Sequence, residues 1–197
     1  MSVAPDFAEP LLGWRAWLVV EGAGAFRLRS VVYETRWPPR CELLARCQRA
    51  ATLSPSQQYP LHAAPCTDCH CGIYAASEPE TVASYLDGWR PEGSVVHRVL
   101  GRVSLWGTVL KCERGWRASR AYPACLYVPT RRVESARLPV REIALALAGN
   151  YGVPVELVAC RTAGELIGLV SRAERARAEA RGAWSVDPTH EADALTP

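Results

Sequence analysis

The chain has 197 residues, which is enough for one domain with a full hydrophobic core and too short for two large domains. Hydrophobic residues make up 49% and charged residues 22% of the sequence, and this composition excludes a disordered or fibrous protein. The net charge of +3 does not by itself indicate a nucleic-acid partner.

Neither export nor membrane insertion is indicated by the sequence. No apolar run approaches the roughly 20 residues of a membrane-spanning helix. Met1 is followed by Ser2, Val3 and Ala4 rather than by a basic and then an apolar signal region. We therefore expect a cytoplasmic protein without a membrane partner.

The N-terminal third is predicted to hold a β-hairpin followed by a helix and a loop. Residues 1–12 are expected to form a flexible arm. Apolar residues alternate over residues 13–33 on both sides of a turn at 21–24, and this pattern predicts the hairpin. Residues 41–51 are a candidate short helix, and the prolines within residues 54–65 predict an irregular loop.

The middle of the chain is predicted to be mainly strand. Ser77 and Glu80 form a capping-box pattern, with a proline in the first turn, that predicts a helix over residues 78–86. Alternating apolar residues then predict strands at residues 95–100, 101–110, 116–122 and 126–128.

The C-terminal third is predicted to contain two helices separated by a strand. Apolar residues at helical spacing predict a helix over residues 139–150, and alternation predicts a strand over residues 153–159. We prefer this strand to the recognition helix of a helix-turn-helix, because the segment offers almost no side chains to base edges. Thr162 and Glu165 form a second capping-box pattern, which opens a helix over residues 163–181.

These elements predict a single α+β domain over residues 13–182, followed by a mobile tail over residues 183–197. We expect a mainly antiparallel β domain with C-terminal helices and with a zinc-stabilised helix–loop insertion after the first hairpin. Residues 41–73 contain too few apolar side chains to fold alone, so a bound metal would supply the order of the insertion.

The eight cysteines indicate a metal site rather than disulfides. Five of them lie between residues 41 and 71, and cytosolic thiols are normally kept reduced. The spacing C-x14-H-x6-C-x-C supplies the four sulfur and nitrogen donors that tetrahedral zinc prefers. Four protein ligands leave no position for a reactive water, so we predict a structural Zn²⁺ site. Its ligands are predicted to be Cys47, His62, Cys69 and Cys71.

Other features near this cluster keep the ligand set and its chemistry open. Cys41, Cys66 and His70 are alternative ligands, and C-x-x-C at residues 66–69 is itself a zinc-knuckle spacing. A catalytic zinc, an iron–sulfur cluster, a redox thiol pair and free buried thiols are weaker alternatives. Gly72 would let the backbone bend around the ion. Three thiolates and one imidazole give the complex a charge of −1, which the nearby Arg46 or Arg49 could offset.

Part of the chain resembles a family of uncharacterised bacterial proteins. The first signature is H-x-A-P…C-x-C-G-I-Y-A at residues 62–65 and 69–75. The second is G-x-V-x-L-W-G…A-Y-P at residues 101–107 and 121–123. The resemblance extends over about residues 14–158 and implies an intact domain with the same four predicted ligands in the metal positions. It implies no activity, and the three alternative ligands are not part of the pattern.

The sequence favours a non-catalytic module that binds an unidentified protein or peptide. No Walker-type, G-x-G-x-x-G or G-x-S-x-G motif is present, so an enzyme is disfavoured. The alternatives are a nucleic-acid-associated regulator that uses the arginine-rich last helix, and a small zinc- or thiol-dependent enzyme. The candidate partner-binding residues are Trp89, Trp106, Trp116, Tyr122, Arg172, Arg175 and Arg177.

Overall fold

The computed structural model describes residues 10–22, 24–47, 62–87, 95–130 and 139–184, and for residues 181–184 it describes the backbone only. These residues form seven strands and three helices. The strands are β1 (Leu11–Gly22), β2 (Ala25–Ser30), β3 (Leu43–Leu44), β4 (Ile73–Ala76), β5 (Val95–Cys112), β6 (Gly115–Pro129) and β7 (Val155–Val158). The helices are α1 (Ala83–Asp87), which continues from a 3₁₀ turn at Pro79–Val82, α2 (Val140–Tyr151) and α3 (Ala163–Trp184).

The seven strands belong to one sheet whose pairings close into a ring. β1 pairs with β5, β5 with β6, β6 with β4, and β4 returns to β1 where Ala76 lies opposite Trp14. β2 extends the sheet from β1, whereas β3 and β7 extend it from β6. Of the described strand pairs only β6–β7 is parallel, so the predicted α+β class with a mainly antiparallel sheet is confirmed.

Helices cover two faces of this sheet, and each face has its own hydrophobic core. On one face, Ile143, Leu147 and Tyr151 project from one side of α2 and pack with Trp17 and Leu28. On the other face, α1 and α3 pack on the strands through a second cluster. Its members include Trp14, Leu86, Tyr127, Leu166 and Val170. Among the described helices, none is long and apolar enough to cross a lipid bilayer.

The predicted helix over residues 41–51 is wrong for the residues described. Leu43–Leu44 is β3, a short strand at the edge of β6, and residues 45–47 have no regular structure. The backbone N–H of Ala45 donates to the carbonyl of Ser119 at 2.8 Å, so β6 takes hydrogen bonds that a helix would have formed within itself. The remainder of this prediction, and most of the predicted loop over 54–65, lies outside the described residues.

Strands β5 and β6, which pair with each other, are longer than the sequence predicts. The pattern predicts a break at Gly101 and another between residues 122 and 126, whereas β5 and β6 are each continuous. A Cβ atom at Gly101 would overlap the carbonyl oxygen of Cys125. The glycine therefore permits the close approach of β6 rather than ending a strand.

The predicted hairpin, the helix after Pro139 and the strand that follows it are confirmed by β1–β2, α2 and β7. The helix predicted over 78–86 is present, but Glu78 rather than Ser77 is the N-cap residue, and no side chain caps it. The second predicted cap is confirmed, because the Glu165 N–H donates to Thr162 Oγ1 at 3.1 Å.

The two ends of the predicted domain differ slightly from the structure. β1 begins at Leu11, inside the segment predicted as an arm, and residues 1–9 lie outside the described residues. α3 continues to Trp184, past the predicted start of the tail, and residues 185–197 are not among those described.

Candidate metal centre

The segments that carry the clustered cysteines adjoin β3 and β4, and both of these strands pair with β6. Cys47 follows β3, and β3 is fixed by its pairing with β6. Residues 66–69 form a tight turn in which the Cys69 N–H donates to the Cys66 carbonyl at 3.2 Å. Cys71 lies two residues before β4, which pairs with both β6 and β1. Neighbouring strands of one sheet thus bring together cysteines that are far apart in the sequence.

The structure places the four predicted ligands, Cys47, His62, Cys69 and Cys71, in one group. Their ligand atoms all lie within 4.8 Å of one another. No disulfide joins any of the eight cysteines, all of which are among the described residues. The group could therefore hold a metal ion, as the sequence predicts.

Two distances within the group fit a tetrahedral zinc site. The Sγ atoms of Cys47 and Cys69 are 3.8 Å apart, and His62 Nε2 lies 3.3 Å from Cys71 Sγ. Two thiolates bound to zinc at about 2.3 Å would be about 3.8 Å apart in a tetrahedron, and a thiolate and an imidazole about 3.5 Å apart. These two pairs of donors therefore have about the separation that such an ion requires.

The environment of Cys71 raises the pKa of its thiol. Burial is the largest cause, since it disfavours the charged thiolate, and the neighbouring thiols of Cys69 and Cys47 act in the same direction. A hydrogen bond with the backbone of Cys66 opposes them. Metal binding requires the thiolate, so a bound cation would supply the positive charge that favours deprotonation here.

Arg117 of β6 fixes the turn that carries the C-x-C pair. Its Nη1 donates to the carbonyl oxygens of Cys66 at 3.3 Å, Cys71 at 3.1 Å and Cys69. The side chain is buried, so this cation lies beneath the turn, where it can balance the negative charge of three thiolates. Arg46, which the sequence suggests for this task, is exposed, and Arg49 is outside the described residues.

Gly72 has the backbone freedom that the sequence predicts for the bend after Cys71. Its φ angle is +125°, a region that side-chain-bearing residues rarely adopt. A Cβ atom here would lie 3.1 Å from the Cβ atoms of both Arg117 and Pro65. The glycine is therefore required both by its conformation and by the close packing of the turn on β6.

The three alternative ligands lie outside the four-residue group. Cys41 is exposed, and Cys66 contributes its carbonyl oxygen to Arg117. His70 is exposed, and its carbonyl accepts a 2.7 Å hydrogen bond from the Tyr74 hydroxyl. Within the described part of the chain, the geometry thus favours one ligand set over the alternatives that the spacing leaves open.

The aromatic candidates for partner binding do not converge in the described residues. Trp116 and Tyr122 pack against the main core from β6, and the Tyr122 hydroxyl donates to the Tyr151 carbonyl at 2.8 Å. Trp106 is half-buried on β5, and Trp89 is outside the described residues. These positions are consistent with a role in packing.

The arginines of α3 differ in how far they are engaged. Arg177 forms ion pairs with Glu156 at 2.6 Å and with Glu174 at 3.0 Å, and these carboxylates raise its pKa. Arg172 and Arg175 are exposed and have no ion-pair partner among the described residues. Two of the three predicted arginines are thus available at the surface.

Sequence reasoning missed Arg117 as part of the site. This residue lies 46 to 51 positions from the carbonyls that it binds, and an arginine within a strand usually indicates an exposed position. Only the placement of β6 under the turn reveals the contact.

No protein-family model, curated protein or solved structure matches the chain. The resemblance to an uncharacterised bacterial family therefore stays a prediction.

Proposed function

We propose that this protein is a non-catalytic module in which a structural zinc ion is held by Cys47, His62, Cys69 and Cys71, and which binds a protein or peptide partner. The observation that carries the first part is the grouping of three thiols and one imidazole within 4.8 Å. Thiolates and imidazole suit zinc, whereas calcium and magnesium take oxygen ligands. Iron–sulfur clusters usually take four thiolates, which the imidazole argues against.

A structural role is supported by the closed donor set. Four protein donors complete a tetrahedron and leave no position for the water that a catalytic zinc would activate. The ion would join Cys47, in the segment after β3, to Cys69 and Cys71 in the segment before β4. Such a bond would stabilise a region whose described side chains are mostly polar or exposed.

Partner binding is supported by large apolar side chains exposed near the cluster. Tyr33 is 54%, Leu44 52% and Tyr74 42% exposed. Exposed apolar groups that lie together are typical of interaction surfaces. The nucleic-acid alternative has weaker support, because Arg177 is engaged by two carboxylates of the same molecule.

Metal analysis of the purified protein tests the zinc site. We expect one zinc per chain, and a cobalt-substituted sample with the visible absorption of a four-coordinate thiolate site. Cys71→Ser should lose the metal, whereas Cys41→Ser, which changes an exposed cysteine outside the group, should keep it.

Two results would contradict the proposal. Folded wild-type protein without metal would remove the zinc site, and loss of metal in Cys41→Ser would show that the ligand set is wrong. A cobalt spectrum of a five-coordinate site with an exchangeable water would instead revive the catalytic alternative.

A further inference from the structure

A cleft of about 670 Å³ lies beside the cysteine cluster. Its walls are formed by β1, by the segments that follow β2 and β3, and by the turn that carries the C-x-C pair. This volume is within the roughly 300–1,000 Å³ typical of ligand-binding clefts. Three arginines line it from three different segments: Arg15, Arg36 and Arg46.

Arg15 is held in place at the cleft wall without an acidic partner. Its guanidinium donates to the hydroxyl of Ser30 at 3.0 Å and to the carbonyl of Tyr74, and it stacks on the Trp37 ring at 5.2 Å. Nε is buried and has no hydrogen-bond partner, and burial lowers the pKa of the side chain to about 10. A fixed, partly dehydrated cation of this kind is suited to an anionic group.

Arg36 and Arg46 add two further positive charges. Both are exposed, and neither has an ion-pair partner among the described residues. Glu42 also lines the cleft, but its carboxylate is bound by Arg120 at 2.9 Å. A zinc-filled cluster would carry a charge of −1 and lies above the buried Arg117, so the three arginines leave the cleft positively charged.

The cleft also offers apolar contact surface. Tyr33 and Leu44 line it, and both are more than half exposed. An isolated inorganic anion would use none of this surface, whereas a peptide with acidic and apolar side chains would use both kinds of contact.

We propose that this cleft binds an acidic peptide segment of the partner, with carboxylates paired to Arg36 and Arg46 and a further carboxylate reaching Arg15. This inference rests on the proposed function and specifies the chemistry of the partner. The planar guanidinium binds a carboxylate through two parallel hydrogen bonds, so three separated arginines would select for the spacing of acidic residues as well as for charge.

Selection from displayed random heptapeptides tests the inference on the full zinc-loaded chain. We expect enrichment of Asp and Glu together with apolar residues. A synthetic fluorescent peptide of the selected sequence should bind Arg36→Gln/Arg46→Gln roughly tenfold or more weakly than the wild type. The matched control is Arg141→Gln/Arg161→Gln, which removes the same charge from two exposed positions outside the cleft and should change binding less than about twofold.

Two further measurements make the result specific to the cleft. Metal content and circular dichroism establish that each variant is folded and contains zinc. The single variant Arg36→Gln keeps Arg46, the neighbour of Cys47, so it tests the cleft without a change next to a proposed metal ligand. Arg15 is not varied, because it also bonds to Ser30 and Tyr74. Inorganic phosphate is titrated as a competitor, and we expect no displacement of the peptide at equal concentrations.

Several outcomes would overturn the inference. If the selected peptides lack acidic residues and bind the cleft variant normally, peptide binding stands but the cleft is not its site. Displacement by equimolar phosphate would make the cleft a small-anion site. If no peptide is enriched, the inference fails together with the proposed peptide binding, while the zinc site is still decided by its own metal analysis.

Discussion

Helix α2 and the turn at residues 66–71 both pack on the sheet, but different interactions hold them there. The helix inserts Ile143 and Leu147, both fully buried, into the main hydrophobic core. The turn is held by the hydrogen bonds of Arg117 to its carbonyl oxygens, and it carries two of the grouped thiols. One region depends on apolar area removed from water, and the other depends on directional polar contacts.

This difference predicts different responses to substitution. Apolar burial is non-directional, so its loss lowers the stability of the whole domain in proportion to the volume removed. A buried guanidinium and the proposed metal site depend on exact partners, so their loss should act locally and affect metal binding first.

The largest effect is expected from Leu147→Ala in α2. Removal of this fully buried side chain should lower the free energy of unfolding by about 2–5 kcal/mol, because it leaves a cavity in the main core. Urea denaturation measures the loss, and zinc content should not change. Leu145→Ala on the same helix is the control, since Leu145 is 65% exposed. Loss of zinc in the folded Leu147→Ala variant would contradict the separation of the two regions.

The second effect is expected from Arg117→Gln in β6. The substitution removes charged hydrogen bonds to buried and part-buried carbonyls, so we expect a loss of about 1.5–3 kcal/mol, together with weaker zinc binding in a chelator competition assay. Arg120→Gln, three residues further along the strand, removes only a surface pair with Glu42 and should cost about 1 kcal/mol or less. Equal zinc affinity in the two variants would mean that Arg117 does not stabilise the turn.

The fold could be predicted from the sequence wherever local pattern and tertiary structure agree. The alternation around the turn at 21–24 gives β1 and β2, and the helical spacing after Pro139 gives α2. The helix expected over residues 41–51 fails because β6 offers Leu43–Leu44 a pairing partner from a distant part of the chain. Closure of the strand pairings into a ring likewise depends on long-range contacts that no local pattern contains.

The candidate site likewise has features that the sequence predicts and features that depend on tertiary packing. The spacing of cysteines and histidine predicts the four grouped residues, because thiolates and imidazoles are the donors that structural zinc prefers. The same spacing cannot exclude Cys66 or His70, which differ from the grouped residues only in where their side chains lie. The contacts of Arg117 and the positions of Arg15 and Arg36 in the cleft depend on the packing of separate strands. The sequence alone does not show this packing.

Substitution of two glycines by alanine sharpens the contrast with effects of opposite sign. Gly72→Ala should destabilise the protein by about 1–3 kcal/mol, because φ is +125° and the added Cβ meets Arg117 and Pro65. Gly149→Ala should stabilise it by up to about 1 kcal/mol, since Gly149 lies in α2 with open space around it. Thermal unfolding measures both, and a stabilising Gly72→Ala would show that the turn is not closely packed on β6.

The smallest expected change in stability concerns the polar contacts of Glu174, which lies in α3. Burial opposes ionisation of this carboxyl, but hydrogen bonds from Tyr127 at 2.7 Å and Arg177 at 3.0 Å outweigh it and hold its pKa below the ordinary value of 4.5. The ionised form is thus favoured by folding, so its contribution is present above about pH 4.5 and is lost as the pH falls through the lower pKa of the folded state.

Glu174→Gln should therefore reduce the loss in the free energy of unfolding that occurs on acidification. We expect the reduction to be about 1 kcal/mol or less, because the site is near the surface. Urea denaturation between about pH 3 and pH 7 measures the difference, and Glu179→Gln removes the same charge from an exposed position of α3. If the two variants lose stability identically with acid, the contacts of Glu174 do not favour its ionised form, and α3, like α2, is held on the sheet by apolar packing.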